Sequence, residues 1–152
     1  MSQIIDVAVG VLLDQNGAML MAQRPEGKPY AGYWEFPGGK LEQGETVMQA
    51  LQREFLEELD LHIHQAQAWC CVEHVYPHAH VRLHFCVSQV WSGQPKSLEG
   101  QAFSWQGQVQ VEPVLPATVP LLSDLTDFCR EVFEATDNNA ALPSNSVSSL
   151  VP

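Results

Sequence analysis

The sequence predicts a single α/β (α+β) domain, and three features carry that expectation. An apolar run alternates over residues 4–13 and ends in turn chemistry. A stretch without Gly or Pro, rich in Gln, Glu, Leu, Met and Ala, fills 45–59, and a second apolar series recurs at helical spacing over 121–133. Strands and helices therefore share one chain of 152 residues, a length that suits one core rather than two. With 45% hydrophobic and only 16% charged residues, disorder along the whole chain is excluded.

Taken in order, Ile5, Val7, Val9, Val11 and Leu13 share one parity, as a half-buried strand requires, and Asp14-Gln15-Asn16-Gly17 then turns the chain. Residues 18–23 return as a partner strand. Residues 24–44 hold clusters of Pro and Gly and read as a long loop around a short extended piece at Trp34-Glu35-Phe36. Long loops inside small domains commonly carry function. A helix of about four turns over 45–59 follows. Strands are expected at 69–76 and 81–91, a turn at Ser92-Gly93-Gln94-Pro95, and another short strand around Trp105. Thr118-Val119-Pro120 reads as a cap with Pro in the first turn of a second helix, whose stripe is Leu121, Leu122, Leu125, Phe128, Cys129, Val132 and Phe133. Residues 1–136 thus form the domain, and the polar, Pro-broken 137–152 a flexible tail without chemistry.

The net charge of −11 argues against a broad contact with nucleic acid or anionic lipid. No basic segment precedes the first apolar run, which Asp6 interrupts, so neither a leader nor a membrane anchor is expected. Cys70, Cys71, Cys86 and Cys129 have no CxxC spacing and read as reduced packing residues, which together imply a cytoplasmic location.

The 45–59 helix is unusual in where its charges fall. Counted from Val47 on a helical wheel, Glu57 lies at about 280°, Glu54 at about 340° and Glu58 at about 20°, with Leu51 and Phe55 next at about 40° and 80°. Three carboxylates share a third of the circumference, and Glu58 sits at the edge of the apolar stripe. Like charges so placed repel, and partial burial adds desolvation. A hard divalent cation such as Mg2+ relieves both, and it would let an acidic protein take a polyphosphate. The competing explanation is a solvated helix face with Arg53 paired to Glu57 four residues on.

Gly39, five residues, Glu45, seven residues, then Arg53-Glu54-Phe55-Leu56-Glu57-Glu58-Leu59-Asp60-Leu61 resembles the Nudix box, a loop-helix signature with fixed Gly, Glu and Arg positions. Asp60 departs from it, standing where the family has Gly. A residue just after a helix often needs a left-handed backbone, which Asp tolerates at a small cost. Trp34-Glu35-Phe36-Pro37-Gly38-Gly39-Lys40, with Arg24 ahead of it, is similar to the MutT branch, and the likeness extends over about residues 4–134.

The resemblance implies a Nudix fold, a mixed β-sheet sandwiched between α-helices, and a nucleoside triphosphate pyrophosphohydrolase that uses Mg2+ or Mn2+. It implies Glu54, Glu57 and Glu58 as metal ligands together with the Gly39 carbonyl, and Glu99, in Leu98-Glu99-Gly100-Gln101, as a further one. Arg53 and Glu45 would orient those carboxylates. Glu54 is the first choice for the base that deprotonates water, and Glu99 the second. Arg24 resembles a phosphate-contacting arginine able to offer a bidentate fork. Phe36, Gly38, Tyr76 and Thr118 fall at substrate-binding positions.

Thr118 stands in Pro116-Ala117-Thr118-Val119-Pro120 where the branch carries a base-reading Asn, and Ala79 stands where it carries a ligand-contacting Arg. An oxidised purine nucleotide such as 8-oxo-dGTP, cleaved to the monophosphate and pyrophosphate, is the leading expectation. Another nucleoside triphosphate or a nucleoside diphosphate derivative is the alternative within enzymes, and a silent nucleotide-binding module the alternative outside them. Monomer and homodimer both remain open, as does a fused partner domain.

All six His lie between 62 and 84, and His78, His80, Arg82 and His84 share a parity opposite Val81, Leu83 and Phe85. No Cys or carboxylate completes a zinc set on that strand, so a polar or cleft-facing sheet surface is the better account. His78 or His80 could touch substrate from the strand end.

Overall fold

The computed structural model describes residues 3–138. Nine residues of β1 (Ile4–Leu12) run parallel to the first part of β6 (Ala79–Ser92), pairing Ile4 with His80 through Leu12 with Ser88. The long β5 (His62–Tyr76) lies antiparallel on the outer side of β6, and β4 (Gly38–Lys40) lies antiparallel on the free side of β1. This gives a mixed sheet in the order β4-β1-β6-β5. A second, antiparallel sheet, β3-β2-β7, is built from β2 (Met19–Gln23), β3 (Trp34–Glu35) and β7 (Phe103–Gln106). The strands therefore divide between two sheets, linked at the Leu13–Met19 bridge next to the turn at residues 14–17.

β1 is buried on both faces, as a central parallel strand must be. Val9, Val11 and Leu13 join the core beneath α2 (Leu122–Asn138), where Leu125 and Cys129 are buried. Ala8 and Leu12 join a second core with Ala50, Leu51, Phe55 and Leu59 of α1 (Val47–Leu59). One helix on each face is the sandwich expected. Among the described residues no helix is long and apolar enough to cross a membrane, and Cys70, Cys71, Cys86 and Cys129 are free thiols. Burial pushes Cys86 and Cys129 up to about 12.

Several boundaries differ from the sequence reading, each for a local reason. β4 lies inside the stretch expected to be loop. β5 begins at His62 rather than Trp69, because three irregularities between Ile63 and Cys70 break the period-two pattern. Thr118 does not cap a helix: its backbone is right-handed, its side chain makes no cap bond, and a single 3-10 turn, η1 (Val119–Leu121), precedes α2. α2 runs through Asn138, two residues past the expected boundary, and the rest of the expected tail lies outside the described residues. Asp60 ends α1 at φ 58° and ψ 39°, in the left-handed conformation anticipated for it, and its N–H meets the Leu56 carbonyl at 3.2 Å.

Candidate active site

α1 is started by a reciprocal cap. Thr46 Oγ1 accepts the Gln49 N–H at 3.1 Å, and Gln49 Oε1 accepts the Thr46 N–H at 2.9 Å. The helix thus begins two residues later than expected, and Glu45 is left outside it, free to reach back. Its carboxylate accepts Arg53 Nε at 2.7 Å, Arg53 Nη2 at 2.8 Å and the Glu42 N–H at 2.8 Å. Those bonds, Arg53 first, hold Glu45 down at about 2. Arg53 Nη1 donates to Glu54 at 2.9 Å and to Glu57 at 3.2 Å, while Nη2 also donates to the Lys40 carbonyl at 2.9 Å. One guanidinium therefore sets three carboxylates and fastens α1 to β4. The surface pair of Arg53 with Glu57, the bland reading of this helix, exists as one bond within that larger arrangement.

β4 brings the Gly-rich loop against the helix. A Cβ added at Gly39 would stand 2.6 Å from Glu54 Oε2, and closer to the rest of that carboxylate, so only glycine lets the carboxylate lie flat on the strand. At Gly38 the obstacle is backbone, because a Cβ there would lie 2.9 Å from the Ala8 carbonyl carbon across the β1–β4 pairing.

These elements border a cleft of about 850 Å³ that takes in Arg53, Glu54, Glu57, Glu58 and Glu99, with Gly38 and Gly39. Glu45 is not part of that lining and reaches the cleft only through its bonds to Arg53. Within the cleft Glu58 is the anomaly. Burial, a shared hydrogen bond with Glu54 and the charges of Glu54, Glu99 and Glu35 all push its carboxyl well above the ordinary range. Arg53 serves Glu45, Glu54 and Glu57, whereas no ion pair to Glu58 or Glu99 forms among the described residues. Six carboxylates line the cleft (Glu35, Glu42, Glu54, Glu57, Glu58 and Glu99) against four basic side chains (Arg24, Lys28, Lys40 and Arg53).

This donor set, all oxygen and in excess of its own cations, suits Mg2+ or Mn2+. Among the described residues no three His, Cys, Asp or Glu side chains stand together as a finished metal set.

The residues expected at substrate-binding positions, Arg24, Phe36, Gly38, Tyr76 and Thr118, line the same cleft. Arg24 Nε donates to the Pro29 carbonyl at 2.7 Å and Nη1 to Glu35 at 2.9 Å, so the fork expected for a phosphate is engaged within the protein. Burial pushes the Glu35 carboxyl up while Arg24 opposes it. Phe36 and Thr118 are buried and line the cleft. Tyr76 is buried too, and its hydroxyl accepts the Ala117 N–H at 3.1 Å. His78 and Ala79 reach the cleft from the β5–β6 turn, whereas Arg82 and His84 bond Asp6 at 2.7 and 2.9 Å and His80 bonds Glu73 at 3.0 Å. The alternate His parity is thus mostly a polar sheet face.

Lys28, Tyr30, Glu35 and Lys40 also line the cleft and were not singled out from sequence. A signal existed for the cations. Four of only seven basic residues in the chain converge here, and three of them fall within residues 24–40.

Comparison with known proteins bears on the same residues. The family model for the NUDIX domain matches residues 8–123. The chain is 32% identical over 123 residues to the "8-oxo-dGTP diphosphatase" of Escherichia coli (strain K12), covering 80% of this chain and 95% of that protein. It is 33% identical over 116 residues to the "CTP pyrophosphohydrolase" of the same strain, covering 75% and 86%. Among solved structures, the MutT NUDIX hydrolase from Burkholderia pseudomallei superposes with a TM-score of 0.74 at 27% identity, covering 82% of this chain and all of that one.

Proposed function

The chain belongs to the Nudix family and is a MutT-like pyrophosphohydrolase, and on that footing we propose that it hydrolyses purine nucleoside triphosphates, 8-oxo-dGTP among them, to the monophosphate and pyrophosphate. The observation that carries the reading is the cleft itself, where the acidic helix, with Arg53 among its carboxylates and Glu58 outside any ion pair among the described residues, shares the lining with Arg24, Lys28 and Lys40 and with an apolar, aromatic wall. Such a site suits a ligand that is anionic at one end and flat at the other.

Glu54, Glu57, Glu58 and Glu99, with the Gly39 carbonyl, would hold Mg2+ or Mn2+. When bound, the cation neutralises triphosphate charge and lowers the pKa of the attacking water. Arg53, itself held by Glu45, keeps Glu54 and Glu57 in place. Glu54 accepts the proton of the attacking water; the water oxygen bonds to a phosphorus of the triphosphate bridge as the anhydride P–O bond breaks, and the leaving group is pyrophosphate or the nucleotide according to which phosphorus is attacked. Lys28 and Lys40 meet the phosphates at the cleft mouth, and Arg24 joins them where a phosphate outcompetes the Pro29 carbonyl. Ile5, Val7, Phe36 and Tyr76 provide the apolar wall for the base.

Thr118 has a hydroxyl rather than an amide, and Ala79 has no polar group, so the cleft lacks bidentate partners for a base at both positions. That feature, with the likeness to a CTP pyrophosphohydrolase, favours other nucleoside triphosphates as the second reading. A panel of canonical and oxidised triphosphates separates the two, measured as pyrophosphate against phosphate release with Mg2+ and with chelator. A kcat/KM for 8-oxo-dGTP about a hundredfold above dGTP, roughly 2.7 kcal/mol, supports the oxidised purine. A higher value for CTP overturns it, and no cation-dependent turnover of any triphosphate overturns the activity.

A further inference from the structure

One end of the cleft carries aromatic rings that the phosphate chemistry does not use. Tyr76 is their fixed member, buried and held through its hydroxyl by the Ala117 N–H. The His78 ring lies nearly parallel to it, with centroids 5.3 Å apart and planes 21° apart, and His78 is itself exposed, so it has a face to offer a ligand. Tyr30 packs edge-on against Tyr76 at 5.2 Å and 64°, and stands 6.0 Å from His78. Tyr33 supports Tyr30 from behind at 5.0 Å and 87°. Tyr30 takes this position at φ 60°, a backbone conformation that costs a bulky residue energy and that the packing of its ring must offset.

The arrangement is also correctly placed. The Arg24–Glu35 pair, 2.9 Å apart, lines the same cleft as Tyr30, Tyr76 and His78 and as Glu54, Glu57 and Glu58. A nucleotide with its phosphates at the carboxylates would lie with its base at these rings. Side chains able to fix a base by paired hydrogen bonds are scarce there, since Thr118 offers one hydroxyl and Ala79 none. Stacking, by contrast, needs only a flat surface and grows with ring area.

Resting on the proposed activity, we infer that Tyr30 and His78, seated on Tyr76, form the wall against which the nucleobase stacks, and that they determine the preference for purine over pyrimidine. Neither residue touches the reacting phosphate. Their loss therefore weakens nucleotide binding in proportion to the area of the base while leaving the chemical step intact.

The test uses the full chain, Mg2+ and GMP, followed by NMR of the His ring protons, with the His78 signals identified by their loss in His78→Gln. The Arg24 Nε–H resonance serves as a probe of the phosphate end. The expected result is an upfield ring-current shift of the His78 protons that saturates with GMP and is smaller with CMP. In turnover, His78→Ala and Tyr30→Leu should each raise KM for GTP about tenfold, change KM for CTP less, and leave kcat within about twofold. A shift at Arg24 with none at His78 overturns the stacking wall while retaining the nucleotide site. No shift at either probe overturns both readings. Equal rises in KM for GTP and CTP in variants that melt like the parent overturn the specificity role, and the His78 titration in the parent chain does not depend on how the variants fold.

Discussion

Gly39→Ala separates folding from catalysis in this site. The added Cβ would stand 2.6 Å from Glu54 Oε2 and nearer still to the other carboxylate atoms, whereas ordinary contact begins at about 3.5 Å. The carboxylate must withdraw by roughly 1 Å. It can do so at little cost to the fold, because it terminates a flexible side chain, and the gain in unfolded-state rigidity offsets about 0.4–1 kcal/mol. The site has no such freedom, since a displacement of about 1 Å in a reacting group can cost about a hundredfold in rate. The expected outcome is a melting temperature within a few degrees of the parent and a kcat for pyrophosphate release lowered about a hundredfold. Gly38→Ala is the control, because its Cβ meets the Ala8 backbone 2.9 Å away, which cannot yield, so it should lose several kcal/mol of stability. Parent-like turnover in folded Gly39→Ala would refute the placement of Glu54.

Glu58→Gln should raise stability without cation by about 1–3 kcal/mol at pH 7 and abolish the rise in melting temperature that Mg2+ gives the parent. Glu58 holds its proton more tightly folded than unfolded, so parent stability without cation falls as pH rises above the ordinary carboxylate range, and thermal melts across pH should show that slope flattened in the variant. Asp6 behaves oppositely. Arg82 and His84 hold it down from 3.8 to about 2, so its contribution is complete above pH 3.8 and is lost as pH falls through about 2. Asp6→Asn should remove about 1 kcal/mol at neutral pH, after allowance for solvent screening, and soften the acid limb of denaturant-measured stability. Asp60→Gly should stabilise by about 0.5–1 kcal/mol, read as a melting temperature a few degrees higher with unchanged turnover.

Much of this was legible in residues 39–60, because spacing alone sets which side chains share a helix face. Glu54, Glu57 and Glu58 fall on one arc whatever surrounds them. A left-handed position at Asp60 likewise follows from its place just after the helix, where the box has Gly. What stayed hidden is tertiary. The start of β5 was obscured by irregularities after Ile63, where the register with β6 shifts three times before Cys70. β4 was obscured because Gly38 and Gly39 have no side chains to alternate, and only their pairing with Ala8 and Val9 makes them a strand. Arg24 shows the limit most clearly: its likeness to a phosphate ligand was visible, but its bonds to Pro29 and Glu35 depend on a loop closing 5 and 11 residues later. Tyr30, too, gains meaning only when Tyr76 and His78 arrive from the β5–β6 turn.

The central claim is that the α1 carboxylates carry pyrophosphohydrolase chemistry, with Glu54 as the proton acceptor. The most direct measurement is pyrophosphate release from a nucleoside triphosphate by the parent and by Glu54→Gln, each with Mg2+ and with chelator, alongside a thermal melt. The account predicts release by the parent only with Mg2+, and a Glu54→Gln protein that melts like the parent while losing most of its turnover. Near-normal turnover in Glu54→Gln, or release that persists in chelator, would contradict it.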